Sequence, residues 1–368
     1  MSTSRREFLQ TSAAGAMLAA CASTHTQRPA AAPKKMLILG GTGFIGPALV
    51  ELAQKNGHTV TIFNRGKTRP GLFPHVEKLQ GDRDPQKDEG IKALAHRKWD
   101  VVFDDCGYYP RHVRASSELM APNIGHYIYV SSISAYAQNL VEGADERADL
   151  AVLADPAVET MGAQFENYGG LKVLCEQAAE AAMPGRVTIV RPGYIVGPDD
   201  PTGRFTYWPV RFDRGGDVIV PGSPADPLQV IDVRDLAAWM LLLGERGTLG
   251  TFNACGPAQR MGWGTVVDAC QKAGGATSRM HWATLEDLAK WTDVEFPIWA
   301  PHAGDSKGFH TWSNARAVAA GLTFRPIETI VKDTLAWWKT VPADDRRKRL
   351  GGPSAEKEAE MLKALQKA

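Results

Sequence analysis

The spacing in this chain that points most directly to chemistry is Tyr168-Gly169-Gly170-Leu171-Lys172, a phenol and an amine four residues apart. On a helix this offset puts both side chains on one face. A free phenol titrates near ~10, too high for a base at neutral pH, but a neighbouring ammonium stabilises the phenolate and lets it move a hydroxyl proton. Tyr168 is the only one of the eight tyrosines with a lysine at that offset. A surface helix pair has the same pattern, so the reading depends on what surrounds it.

The second constellation is Gly40-Gly41-Thr42-Gly43-Phe44-Ile45-Gly46, which follows the apolar run Met36-Leu37-Ile38-Leu39 without a break. The run reads as a buried parallel strand. Ala48, Leu49, Leu52 and Ala53 then recur at helical spacing until Asn56-Gly57, with Pro47 tolerated in the first turn, and residues 58–63 supply the next strand. In such a βαβ unit the glycines let the backbone approach a pyrophosphate, and the helix N-terminus offers free N–H groups. Gly40, Thr42, Gly43, Phe44, Ile45 and Gly46 are therefore candidate cofactor ligands. NAD enzymes usually place a carboxylate for the ribose hydroxyls at the end of the second strand. Here that place holds Asn64-Arg65, which favours the 2′-phosphate of NADP, with Lys67 and Arg69 as helpers and NAD as second choice. A solvated turn with incidental charge is the plain alternative.

With Gly40, Gly43 and Gly46 spaced in this way and the Tyr168/Lys172 pair downstream, the chain resembles the extended short-chain dehydrogenase/reductase family, of the NAD-dependent epimerase/dehydratase type. The resemblance covers roughly residues 35–340 and implies several further roles. Gly81-Asp82-Arg83 resembles the family's adenine-side segment, which makes Asp82 and Arg83 cofactor candidates. Ser131-Ser132-Ile133-Ser134-Ala135-Tyr136 resembles its serine segment, and counting back four residues from Tyr136 selects Ser132 as the group that hydrogen-bonds the substrate oxygen. Lys172 would also hold the nicotinamide ribose, Tyr168 would move the proton while hydride passes to or from the nicotinamide ring, and Arg191-Pro192-Gly193 resembles the turn beside that ring, giving Pro192. Asp104-Asp105-Cys106-Gly107 departs from the family, which more often has small residues or a histidine there. The stretch from Ser132 to Tyr168 is also long and carries an acidic segment at 142–149, either a lid or substrate loop or a surface insertion.

The elements that must position these groups are further buried strands at 99–104, 127–130 and 187–190, with catalytic groups just past their C-terminal ends. The expected fold is α/β: a Rossmann-type doubly wound parallel sheet with a smaller C-terminal substrate lobe. Residues 35–200 would form the NAD(P)-binding domain, 201–342 mainly the lobe with elements returning to the first domain, and 343–368 a charged helical tail. Within Arg204-Phe205-Thr206-Tyr207-Trp208, a fixed cation among aromatics makes Arg204, Tyr207 and Trp208 substrate-contact candidates, although a packed lobe core explains the aromatics equally well. In the segment around Asp232-Val233-Arg234-Asp235, Asp232 reads as a helix cap.

At 368 residues and 44% hydrophobic content the chain can bury a full-sized core. Its 42 basic and 41 acidic residues nearly cancel, which excludes an electrostatic case for nucleic acid and favours a small-molecule partner. Ten tryptophans, mostly in the C-terminal half, read for the most part as core packing, with one or two lining a pocket against a sugar-like face as the sharper reading. Five cysteines show neither zinc-ligand spacing nor a disulfide framework, so no metal site is expected. Residues 1–21 read as an address: Ser4-Arg5-Arg6-Glu7-Phe8-Leu9 resembles a twin-arginine motif, a short Ala-rich stretch follows, and Leu18-Ala19-Ala20-Cys21 matches a bacterial lipobox. Residues 22–34 would be a linker. The protein is then expected in the periplasm or envelope, touching membrane only through a lipid on Cys21, with a simple cleaved signal as the alternative; a homodimer stays open. The expected activity is NAD(P)-dependent hydride transfer at a carbinol or ketone carbon of a sugar-like substrate, as oxidoreductase or epimerase/dehydratase. Reduction of a phenolic or aromatic ketone and a non-catalytic NAD(P)-binding scaffold are the rival readings.

Overall fold

The computed structural model describes residues 32–346 and 350–365 of the chain. The twin-arginine segment, the Ala-rich stretch and Cys21 lie outside the described residues. The described residues from Pro33 onward belong to one compact unit.

Its centre is a seven-stranded sheet in which every pairing is parallel. In chain order the elements are β1 (Lys35–Leu39), α1 (Ile45–Lys55), β2 (Thr59–Asn64), β3 (Glu77–Gln80), β4 (Trp99–Asp104), α2 (Pro110–Met120), β5 (Ile124–Val130), α3 (Tyr168–Ala182), β6 (Val187–Pro192) and β7 (Tyr194–Val196). There follow α4 (Tyr207–Asp213), β8 (Gly216–Pro221), β9 (Val230–Asp232), α5 (Val233–Arg246), β10 (Gly250–Ala254), α6 (Trp263–Ala273), β11 (Ser278–Ala283) and the short α7 (Leu285–Leu288) and α8 (Ala315–Ala319). The chain closes with α9 (Ile327–Thr340), α10 (Ala343–Arg346) and α11 (Ala355–Leu365). Strand order in the sheet is β10-β6-β5-β4-β1-β2-β3.

A parallel sheet covered on both faces demands near-continuous apolar strands, and β1 shows why. Met36 and Ile38 point into a core shared with α1 and α5, while Leu37 and Leu39 point into the opposite core with α2 and α3. All four are fully buried. Because the chain runs outward from β1 to β2 and β3, then returns to β4 on the other side, the order reverses between β1 and β4. A crevice for ligands opens beyond the strand ends at such a reversal.

The second core belongs to the lobe: α4, α6, α9 and the parallel pair β8/β11 close around Phe205, Trp208, Phe212, Trp263 and Val331. The junction is the parallel pair β7/β9, after which Asp232 caps α5 by accepting a hydrogen bond from the Arg234 N–H at 2.8 Å. The charged tail is not a free appendage. Met361 on α11 is buried in the lobe core, and Glu358 pairs with Arg211 at 2.6 Å, both side chains almost wholly buried. No helix among the described residues is long and apolar enough to cross a membrane.

Candidate active site

The glycine loop turns sharply off β1, and its residue types follow from the geometry. Gly40 and Gly41 take φ of +120° and +79°, which side chains rarely allow. A Cβ on Gly46 would lie 2.5 Å from the Cα of Gly41, so this packing also requires glycine. At Gly43 an added Cβ would meet nothing, because that position opens on the crevice. Helix α1 starts directly behind it without a side-chain cap, leaving its first N–H groups for a ligand. A cleft of about 670 Å³ runs along this loop; Gly40, Thr42, Gly43, Phe44 and Ile45 form one wall, while Gly46 packs behind it.

The adenine-side candidates Asp82 and Arg83 line the same cleft. Arg83 is held by Asp104, Nη2 to Oδ2 at 2.7 Å, and the Tyr127 hydroxyl donates to the same oxygen at 2.5 Å. Burial alone would pull the guanidinium pKa down, but Asp104 overrides it and the group is firmly charged. Its Nε and Nη1 are buried and without a partner. Buried donors of a fixed cation without acceptors are costly, which makes them natural ligand contacts.

At the end of β2, Asn64 is spent on the loop itself. Its Nδ2 donates to the Gly40 carbonyl at 3.0 Å and its Oδ1 accepts from the Gly66 N–H at 2.8 Å. Arg65 and Lys67 line the cleft with no ion pair among the described residues. Arg69, expected as a helper for a 2′-phosphate, is committed elsewhere. It donates to the carbonyls of Thr42, at 3.0 Å, and Gly43, and pairs with Asp199 at 2.7 Å, which itself accepts from the Trp337 indole at 3.0 Å. The arginine thus ties the glycine loop to the segment after β7.

Ser132, Tyr168 and Lys172 converge where β5 ends and α3 begins. The Tyr168 phenol lies near the Ser132 side chain, which draws its pKa down, and the Ser132 Oγ accepts from the Ser134 N–H at 3.0 Å. Lys172 is buried, and its ammonium donates to the carbonyls of Gly107 at 2.8 Å and Val130 at 2.6 Å, over the Tyr129 ring at 4.4 Å and the Tyr108 ring at 5.3 Å. Burial pulls its pKa down to about 8, against the opposing pull of Cys175 and Asp104. The expectation that the amine depresses the phenol is corrected by this arrangement. Burial holds the Tyr168 pKa above its ordinary value, and the groups that pull it back are the Ser132 side chain and the Arg204 cation.

Arg204 comes near enough for its charge to act on the Tyr168 phenol, although it does not line the cleft. Its guanidinium stacks on the Tyr194 ring at 4.8 Å, and its Nε donates to the Thr202 hydroxyl at 3.1 Å. Tyr207 and Trp208 are both buried in the lobe core, Trp208 donating to the Pro297 carbonyl at 2.8 Å. On α4 the aromatic side chains face α6 and α9 rather than the crevice, because only that face offers an apolar partner. Pro192 is buried in β6 beside Ala254 of β10, outside the cleft lining. Trp208 and Trp263 are core, whereas Trp291 and Trp299 line a separate hollow of about 210 Å³ and no tryptophan among the described residues lines the cofactor cleft. The residues alone single out neither Tyr108 nor Tyr109, and mark Asp105 only as a departure from the family; all three line the cleft, and their place directly after a buried strand is the signal the sequence offers.

Together, a glycine loop at the sheet's reversal point, an uncapped helix end and unsatisfied donors at Arg83 fit a dinucleotide, and the fold and site define a Rossmann-type nucleotide-binding protein with a Ser-Tyr-Lys centre. The chain belongs to the NAD dependent epimerase/dehydratase family, whose model matches residues 36–255. Among curated proteins it is 30% identical over 272 residues to the chloroplast stem-loop binding protein of 41 kDa b of Arabidopsis thaliana, covering 67% of this chain and 65% of that one. It is also 30% identical over 184 residues to a 2-alkyl-3-oxoalkanoate reductase of Stenotrophomonas maltophilia, covering 45% and 52%. The chain thus spans less than two thirds of either relative. Among solved structures, UDP-glucuronic acid 4-epimerase from Bacillus cereus in complex with NAD shares the fold, with TM-score 0.61 and 14% identity, covering 84% of this chain and 99% of that one.

Proposed function

We propose that this protein transfers hydride between an NAD(P) cofactor and the carbinol or ketone carbon of a small, sugar-like molecule, with Tyr168 as the acid/base. The observation that carries the reading is the convergence of Ser132 and Tyr168 beside the buried Lys172 ammonium, next to the dinucleotide-sized cleft. The bound cofactor supplies the hydride acceptor or donor. The chain supplies the rest: Gly43 and the α1 N-terminus seat the pyrophosphate, Arg83 and Asp82 the adenine side, and Ser132 holds the substrate oxygen for Tyr168 to protonate or deprotonate. Lys172 fixes the loop after β4 to the end of β5 and so sets the floor on which the nicotinamide side rests. Arg65 and Lys67, with no acid at the end of β2, support NADP over NAD.

The near-zero charge balance supports a small molecule as partner. The sugar-like substrate draws support from the fold shared with a sugar-nucleotide epimerase. A ketone reductase is the second reading, favoured by Tyr108 and Tyr109 in the cleft wall and by the reductase among its relatives. The N-terminal segment supports export by the twin-arginine route with cofactor already loaded, and a trapped cofactor then calls for a redox-neutral or ping-pong cycle. Normal export of an Arg5→Lys, Arg6→Lys variant would remove that part of the proposal. The chemistry is tested by Tyr168→Phe, which loses only the ionisable oxygen: turnover on an identified substrate is expected to fall by about 10²-fold or more while cofactor affinity stays within a few-fold. Wild-type turnover in that variant would end the mechanism.

A further inference from the structure

We propose that Asp105 is a proton-binding site coupled to the cofactor cleft, so that the cleft takes up one proton at Asp105 when a dinucleotide binds. The inference rests on the reading of the cleft as a dinucleotide site. Asp105 is the first residue past β4, at the crevice where the strand order reverses. Its carboxylate lies over the start of the glycine loop. A Cβ on Gly40 would sit only 1.9 Å from Oδ1 and 2.9 Å from the carboxyl carbon. Oδ2 is shut off from solvent and has no hydrogen-bond partner, although the residue lines the cleft.

Its neighbours give it no counter-charge of its own. From the same strand end it faces Asp104, Cys106 and Tyr108; from the segment after β3, Arg83; from α3, Lys172; the glycine loop presents only backbone. Arg83 is already paired with Asp104 at 2.7 Å, and Lys172 is spent on two carbonyls. Burial, reinforced by the adjacent Asp104, pushes the Asp105 pKa up to about 7. A pyrophosphate seated at the α1 N-terminus would bring negative charge to the same floor, and an ionised Asp105 opposes it whereas the neutral acid does not. Binding therefore raises the carboxyl pKa further, and the difference between free and bound states is read as proton uptake.

The sign follows directly. Below the free-protein value the acid is already neutral and affinity is flat. Above it, affinity falls by about tenfold per pH unit until the bound-state value is passed. The probe is NAD, whose own groups do not titrate in the neutral range, added to the purified full chain and followed by calorimetry across about pH 6 to 9 in buffers of different ionisation heat. Expected are a falling affinity above about pH 7, close to one proton taken up per NAD near pH 8, and flat, tighter binding in Asp105→Asn, by about tenfold at pH 8. Asp105→Ser replaces it if the amide variant fails to fold. Lys172 loses its charge over the same window and would weaken binding with the same sign, so a slope that survives in the Asp105 variant overturns the inference. Wild-type binding without pH dependence or proton uptake also overturns it and leaves the cleft reading standing. No NAD binding to either protein at any pH would overturn the cleft reading itself.

Discussion

Arg191→Met should destabilise the fold by about 4 kcal/mol, and the estimate can be built from the contacts. Arg191 at the end of β6 meets Glu176 on α3 through two parallel bonds, Nε to Oε1 at 2.9 Å and Nη2 to Oε2 at 2.6 Å, and both side chains are 4% exposed. Charge centres about 4 Å apart at an effective dielectric of about 20 attract by about 4 kcal/mol. Deleting one partner of such a buried pair costs about 3–5 kcal/mol, because the other charge stays behind unpaired. The Ser131 hydroxyl also donates to Glu176 and keeps one oxygen satisfied, which moves the cost toward the lower end. Losing the guanidinium from over the Tyr136 ring, 4.8 Å away, returns about 1 kcal/mol to it. Because the pair pins the helix that begins with Tyr168, this is also the contact that seats the catalytic helix on the sheet. The assay is urea denaturation followed by tryptophan fluorescence for Arg191→Met, Glu176→Met and the double variant. The double variant should recover to within about 2 kcal/mol of wild type, since no buried charge remains. Single variants that cost under about 1 kcal/mol, or a double variant as damaged as the sum of the singles, would refute the argument.

Two further outcomes are expected. Arg65→Ala should weaken NADP by about 10- to 100-fold in calorimetry and NAD by no more than about threefold, since a charge-assisted bond to one phosphate is worth about 1.5–3 kcal/mol; equal losses would remove the NADP preference. His310 is buried, with its pKa pulled down to about 4 by burial, while Nδ1 accepts from the Gln229 N–H at 3.1 Å and Nε2 faces the Ile298 carbonyl at 2.9 Å. The folded value lies below the unfolded ~6.5, so stability is full above pH ~6.5 and is lost as pH falls toward 4, by up to about 3 kcal/mol. His310→Gln should flatten that fall in denaturation midpoints measured between pH 7 and 4.5, and an unchanged slope would show that other groups carry it.

What could be read in the residues was what local geometry dictates. The left-handed φ at Gly40 and Gly41 and the backbone contact at Gly46 leave no choice of residue, so the loop announced itself, and the apolar runs at 36–39, 101–103 and 127–130 followed from burial on both faces. Tyr168 and Lys172 are four residues apart on one helix, so their spacing is legible, but not what they touch. Lys172 bonds carbonyls at the ends of two other segments, and carbonyls leave no trace in side-chain type. The fate of the aromatics near Arg204 was equally hidden. A seven-residue helix is too short to display a periodic face, and only the arrival of α6 and α9 decides that Tyr207 and Trp208 turn inward. The strands β8, β10 and β11 are short and pair with distant partners, and the tail is fixed by a Glu358–Arg211 contact across 147 residues.

The same division runs through the chemistry. The Tyr168/Lys172 spacing is a local fact, but the electrostatic setting of the phenol is assembled from three separate places: a serine past β5, burial under the loop after β4, and an arginine contributed beyond β7. A neutral phenol held up by burial and drawn back by Arg204 depends on the segment carrying that arginine staying in place, and the same segment is tied to the glycine loop through Asp199 and Arg69. Because one strip of chain carries both the cation facing Tyr168 and the tie across the cofactor loop, loosening that tie would release the cofactor's cradle and remove the phenol's partner together. In the proposed mechanism the setting for proton transfer and the cofactor seat would then depend on one connected segment, although their residues lie far apart in the sequence.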